Sequence, residues 1–274
     1  MYYKKNNSKT NRLRESVKNH FKELKIDAKS WKDYTFRDYI FGNYSKKFLT
    51  STFIPTFLFI FLGGLFAAYM LFPEQYSVLT HSISKLGNYL INRTGWWGFS
   101  LSLLVGCFSL LSFSYYIYQR IAHISPPKLA KLFLRLYQVT CVGMFLIAFI
   151  ADAEVNFFNS TFQLKIIHWP IAAILFSCFI FGSTTLLVIL FRDNNLRKGG
   201  TKFVDIKKII PSLIIFGIAV VGSAVTQPWA FIGSLLGSKI VEILAFSTSM
   251  WEWILFVGFI SFFSGIAIAI PDTE

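Results

Sequence analysis

Six long apolar runs, separated by polar segments whose charge alternates, constrain this chain more than anything else in it. They fall at about residues 48–72, 95–119, 132–152, 165–191, 209–228 and 250–270. Each is close to the ~20 residues an α-helix needs to cross a hydrocarbon core of ~30 Å. A backbone in lipid must satisfy its own N–H and C=O groups, and a helix does so within one segment. The runs therefore predict an all-α polytopic membrane protein, a six-helix transmembrane bundle over residues 48–274 preceded by a basic tail over 1–47.

Composition excludes the soluble class. Hydrophobic residues make up 54% of the chain and charged residues 15%, against ~25% charged in soluble domains. A net charge of +13 in a soluble protein would suggest nucleic acid. Here the placement of the charge speaks for topology instead, and no nucleic-acid partner is expected. Of the 27 Lys and Arg residues, 23 lie in the tail and in the second and fourth loops. Loops one, three and five hold only Lys85, Arg93, Lys165 and Lys239. Cytoplasmic loops retain Lys and Arg during insertion, so both termini are expected inside and loops one, three and five outside. Trp96, Trp97, Trp169, Trp229, Trp251 and Trp253 fall at the same outer ends, where indole rings favour the headgroup level. The first 47 residues do not read as a signal peptide, so the first span is expected to serve as its own insertion signal.

Two segments leave alternatives open. Residues 229–249 are apolar but carry Lys239 and Glu242; an outer-surface or partly buried helix is the simpler reading, and a seventh span would flip the C-terminus. In the tail, Leu13, Val17, Phe21 and Leu24 recur at helical spacing beside Lys18, Lys22 and Lys25. Such a basic amphipathic helix can lie on a membrane and hold anionic headgroups, each basic residue contributing about 1 kcal/mol. The plainer reading is a solvated tail that fixes topology.

Polar side chains at the outer ends of spans are costly unless they pair or line a wet cavity. Loop one carries His81, Ser84, Gly87, Asn88 and Asn92; the end of the third span carries Asp152 and Glu154; the fourth span opens with His168 and the sixth with Glu252 and Trp253. A closed bundle can bring these regions to one rim. His and carboxylate are zinc-ligand types, but no short-spaced His pair exists, so neither metal nor cofactor is expected. Ser84, with His81 or His168 as base and Asp152 as orienter, fits the logic of a hydrolytic triad. The structural alternative is that these groups cap helix ends and tie the outer loops together. Asn92-Arg93-Thr94 and Asn159-Ser160-Thr161 are glycosylation-type triplets. Cys107, Cys141 and Cys178 lie within apolar runs and read as small packing residues.

The motifs Ile83-Ser84-Lys85-Leu86-Gly87, Ile167-His168-Trp169 and Glu252-Trp253, with the Gly143-Met144 region running to Asp152 and Glu154, give the chain a resemblance. It resembles the six-span family of the damage-regulated autophagy modulators, the FGF-receptor-activating protein and the SFK-type plasma-membrane proteins (the CWH-type N-terminal domain). Ser84-Lys85-Leu86-Gly87 also resembles a signature of a related prokaryotic six-span family of unknown function. The resemblance covers roughly residues 48–270. Lys85 and Trp169 stand where the first family has acids, which moves the expectation away from an acid-dependent centre.

The expected function is that of an integral membrane protein that recognises or organises lipid, or scaffolds a protein partner, through its outer loops. The alternatives are a lipid-remodelling hydrolase or transferase and a transporter of a small solute or lipid. The expected location is the cell membrane in a prokaryote and an endomembrane or the plasma membrane in a eukaryote.

Overall fold

The computed structural model describes residues 34–73, 75–78, 81–150, 154–157, 160–196, 204, 206–236 and 239–270. The basic tail with Lys18, Lys22 and Lys25, and Asp152 of the third loop, lie outside these described residues. A short helix α1 (Phe36–Ile40) precedes six long ones: α2 (Lys46–Met70), α3 (Trp96–Ile121), α4 (Pro127–Phe149), α5 (Lys165–Leu196), α6 (Ile206–Leu236) and α7 (Lys239–Ala269). Each of the six contains a stretch long and apolar enough to cross a membrane. A two-stranded antiparallel hairpin, β1 (Glu154–Phe157) and β2 (Ser160–Gln163), joins α4 to α5.

The outward faces are those of a protein solvated by lipid. Phe59 is 81% exposed, Phe66 63% and Phe181 64%. In water such apolar patches would drive association; in hydrocarbon they cost nothing. The buried side is aromatic and arranged around α7. Phe256 stacks on Phe61 of α2 at 5.0 Å, Phe263 meets Phe113 of α3 at 4.9 Å and Tyr137 of α4 at 5.8 Å, and Phe259 meets Phe179 of α5 at 3.8 Å and Phe216 of α6 at 6.0 Å. The last of the six spans is thus the axis of the bundle, in ring contact with all five others.

Close helix crossings use small residues. A Cβ at Gly64 of α2 would meet the Ser102 hydroxyl and the Gly98 carbonyl of α3, and one at Gly98 would meet the Gly64 carbonyl. Gly64-x-x-x-Ala68 and Gly98-x-x-x-Ser102 therefore let two backbones touch, as small-x-x-x-small patterns do in membranes. The Ser102 hydroxyl reaches the Phe61 carbonyl at 2.7 Å and the Gly98 carbonyl at 2.9 Å, leaving no bare polar group at the crossing.

Pro55 stands in the first turn of the α-helical part of α2, Ile54–Met70. The residues before it, Leu49–Phe53, form a π-helical turn, and the Ile54 N–H donates back to the Leu49 carbonyl. A proline removes one backbone donor and crowds the preceding turn; a wider π turn relieves this.

The N-terminal end of α2 is closed by the segment before it. Gly42, at φ +66, turns the chain against α3, with the Tyr116 backbone where a Cβ would stand. Tyr44 is fully buried, stacks on Tyr116 at 5.2 Å and shares a 3.0 Å hydrogen bond with Ser112, whose own hydroxyl donates to the Tyr39 carbonyl. Arg120, expected as a loop charge, is buried instead. Its guanidinium lies 3.4 Å from the Tyr116 ring centre and donates to the carbonyls of Tyr116 and Tyr44. This is the base end of the bundle, and the end carrying loop one is the rim.

Two expectations need correction. Helix α4 ends at Phe149, with Ile150 in extended conformation, so Glu154 belongs to a hairpin strand and not to a helix end. Residues 229–249 do not form a separate surface helix, because residues to Leu236 continue α6 and residues from Lys239 begin α7. At ~1.5 Å rise per residue these two helices are ~46 Å long and overreach the ~30 Å hydrocarbon core. Periodicity alone could not separate a surface helix from two prolonged ones.

Candidate functional site

Loop one is built around Tyr76 and a 3-10 turn over Ile83–Gly87. The Tyr76 hydroxyl reaches the carbonyls of His81 at 3.1 Å and Ser82 at 2.8 Å. Its ring packs against His81 at 5.2 Å and edge-on against Trp253 at 6.2 Å. Burial pushes the Tyr76 phenol well above its ordinary range, the adjacent Trp253 indole opposes this, and nearby Glu252 adds to it. Loop one and the Glu252-Trp253 motif are therefore one structure. Trp253 serves as a wall for Tyr76.

The glycine of the Ser84-Lys85-Leu86-Gly87 motif has a packing reason, since the Phe99 ring occupies the place of a Cβ at Gly87. Leu86 is fully buried. The Asn88 side chain accepts from the N–H groups of Leu90 at 3.0 Å and Ile91 at 3.3 Å, an Asx turn leading into α3. These residues shape the loop and do not face an open site.

Asn92 is the rim residue whose weight the sequence did not reveal. It is fully buried; Nδ2 donates to the carbonyls of Ala68 at 3.0 Å and Leu86 at 2.8 Å, and Oδ1 accepts from the Gly95 N–H at 3.1 Å. The Asn92-Arg93-Thr94 triplet is thus closed to a glycan in the folded protein, in keeping with its nearness to the second span. Asn159 of the other triplet lies outside the described residues.

His168 sits in the first turn of α5 and is 5% exposed, and its Nδ1 lies 2.7 Å from the Ile150 carbonyl at the end of α4. A carbonyl can only accept, so Nδ1 carries the proton, and Nε2 of the neutral ring is an acceptor. His81 is held differently. The Ser77 N–H approaches its Nδ1 at 3.4 Å, so that nitrogen accepts and Nε2 carries the proton.

The structure brings three of the expected residues together. Ser84, His168 and Glu252 line one cavity between α2, α3, α4, α5 and α7. Its volume is about 170 Å³, or about 1280 Å³ when its open side is counted. One water needs only ~10–15 Å³, so this is no packing defect. Below these three residues the walls are almost wholly apolar, with Phe61, Phe99, Phe176, Phe256, Phe259 and Phe263 among them. No Lys or Arg stands among the described lining residues. The Ser84 hydroxyl shares a 3.0 Å hydrogen bond with Ser82.

His81 is not among the lining residues; it packs on Phe72 and Tyr76. Glu154 is placed only by its backbone, paired with Gln163. Among the described residues no group of three or more His, Cys, Asp or Glu could hold a metal ion. No family model matches the chain, and neither a curated protein nor a solved structure matches it.

Proposed function

We propose that this integral membrane protein binds a lipid, with one acyl chain in the aromatic cavity and the head at Ser84, His168 and Glu252. The alternation of loop charge argues that this rim faces outward. One observation carries the reading: polar residues from three distant parts of the sequence line the rim end of a single cavity whose other walls are almost wholly hydrocarbon and aromatic ring. A slot so lined gains dispersion contacts along its whole length from an apolar occupant, and a lipid tail from the surrounding bilayer supplies one. The rim offers the Ser84 hydroxyl, His168 Nε2 and the Glu252 carboxyl. That set favours a head rich in hydroxyl or amine donors over a bare phosphate. The resemblance to the six-span family of the autophagy modulators and the FGF-receptor-activating protein rests on these same motifs and fits a role with lipid.

The test is native mass spectrometry of protein released from nanodiscs of defined lipid composition. The expected result is one retained lipid per chain, lost on Ala172→Phe, which fills the cavity wall, and weakened on His168→Ala. Retention that is absent in the natural chain, or equal in Ala172→Phe, overturns the reading.

The co-location of Ser84 and His168 supports a second reading, a lipid hydrolase or transferase in which His168 Nε2 takes the Ser84 proton. Turnover of phospholipid by the purified protein, abolished by Ser84→Ala, is its measure.

A further inference from the structure

We infer that the cavity is a length gauge: it accepts one unbranched acyl chain of about 14–17 carbons and stops longer ones. This rests on the lipid-binding reading and adds the class of chain.

The argument starts from helix rise. The lining runs from His168 to Phe179 along α5 and from Phe99 to Phe113 along α3. At ~1.5 Å per residue these are ~16 Å and ~21 Å. A fully extended chain of tetrahedral carbons gains about 1.2 Å per bond, as an extended backbone does over its three bonds per residue. The slot therefore matches about 14–17 carbons measured from the rim.

The far end is closed by rings that cannot easily move. Phe113 and Phe263 meet at 4.9 Å, Phe113 stacks on Tyr116 at 6.3 Å, and Phe53 stacks on Tyr44 at 5.3 Å. Behind them Tyr44 and Tyr116 are both fully buried. The side of the far end is a partition. Phe53, Phe57 and Ser109 line the acyl slot and also a second cavity of about 260 Å³, whose other walls include Thr52, Thr56 and Val105. Phe57 is half-buried and touches Phe61 at 5.1 Å, so it is the movable leaf of that partition. Taking away its ring joins the two spaces. A larger residue at Ser109 shortens the first.

The experiment measures binding of a homologous lysophosphatidylethanolamine series of roughly ten to twenty carbons, bracketing the inferred length, by native mass spectrometry of the full chain. In the natural protein the retained fraction should climb to about 14–17 carbons and then fall several-fold. Phe57→Ala should move the break about three carbons longer, the reach of a phenyl ring at about 1.2 Å per bond. Ser109→Phe should move it shorter. Melting temperatures of both variants, matched to the natural chain, establish that they fold. Binding at every length with no break overturns the gauge and leaves the lipid reading intact. A break that neither variant moves also overturns it, since the limit is then not at this partition. No binding at any length overturns both.

Discussion

Asn92 at the end of loop one is joined to Ala68 of α2: the amide of a wholly buried asparagine donates at 3.0 Å to a main-chain carbonyl near the end of that helix. With its bonds to Leu86 and Gly95, this side chain holds α2, loop one and the start of α3 as one unit. The rim motifs keep their positions through it.

Asn92→Ala should therefore lower stability by about 2–4 kcal/mol, because buried partners lose their hydrogen bonds and a cavity opens. Asn92→Asp should fare little better, since a carboxylate cannot donate to the carbonyls of Ala68 and Leu86. Thermal unfolding in detergent measures both. Production in a glycosylating host should give no mobility shift that depends on Asn92.

Gly63 and Gly64 are adjacent and predict opposite outcomes. A methyl group at Gly63 meets nothing within 4 Å, whereas one at Gly64 meets the Gly98 carbonyl at 2.6 Å and the Ser102 hydroxyl. Gly63→Ala should be neutral or stabilising by up to about 1 kcal/mol, the helix-propensity gain. Gly64→Ala should destabilise by about 2 kcal/mol or more, since backbone cannot yield. Melting temperatures of the two variants side by side decide it.

Alkaline pH should loosen the rim. The Tyr76 phenol is held above its ordinary value near 10.0 by burial first, with Glu252 adding. A group whose folded value is raised gives its full contribution below the unfolded value and loses it as pH climbs towards the folded one. Stability should hold to about pH 10 and fall beyond it. Tyr76→Phe should begin lower by about 1 kcal/mol, having lost its hydrogen bonds, and then show a flatter decline. Melting temperature against pH, with phenolate absorbance as the second signal, checks the order of events.

Arg120→Lys should destabilise the base end by about 1–2 kcal/mol, since an ammonium cannot lie flat on Tyr116 while reaching two carbonyls. The reverse exchange at exposed Lys128, Lys128→Arg, should change stability by less than about 0.5 kcal/mol.

What was legible in the sequence follows from what each signal encodes. Length and hydropathy encode membrane crossing, so the six spans could be placed to within a few residues, as at 95–119 against Trp96–Ile121. Helix ends beyond the membrane carry no such signal, and α6 and α7 overran their expected limits for that reason. The rim motifs pointed to one end of the bundle, and Ser84, His168 and Glu252 do share a cavity. His81 was grouped with them by residue type alone, and only the fold separates a ring packed on Tyr76 from one lining an open space. Asn92 reads in sequence as one of several loop asparagines. Its importance comes from carbonyls at Ala68 and Leu86, which no side-chain pattern records.

The axial place of α7 has a consequence for the order in which the molecule can be made. Residues enter a membrane in sequence, at about 5–20 per second, and the helix that touches all the others is the last of the six to arrive. Until Phe256, Phe259 and Phe263 have left the insertion machinery, Phe61, Phe113, Phe179 and Phe216 lack their ring contacts on α7. The inserted helices then lack the partner that α7 supplies, and their facing rings are exposed to capture by lipid, by another nascent chain or by whatever factor shelters incomplete bundles. The packing of these five helices is therefore completed only when the sixth arrives.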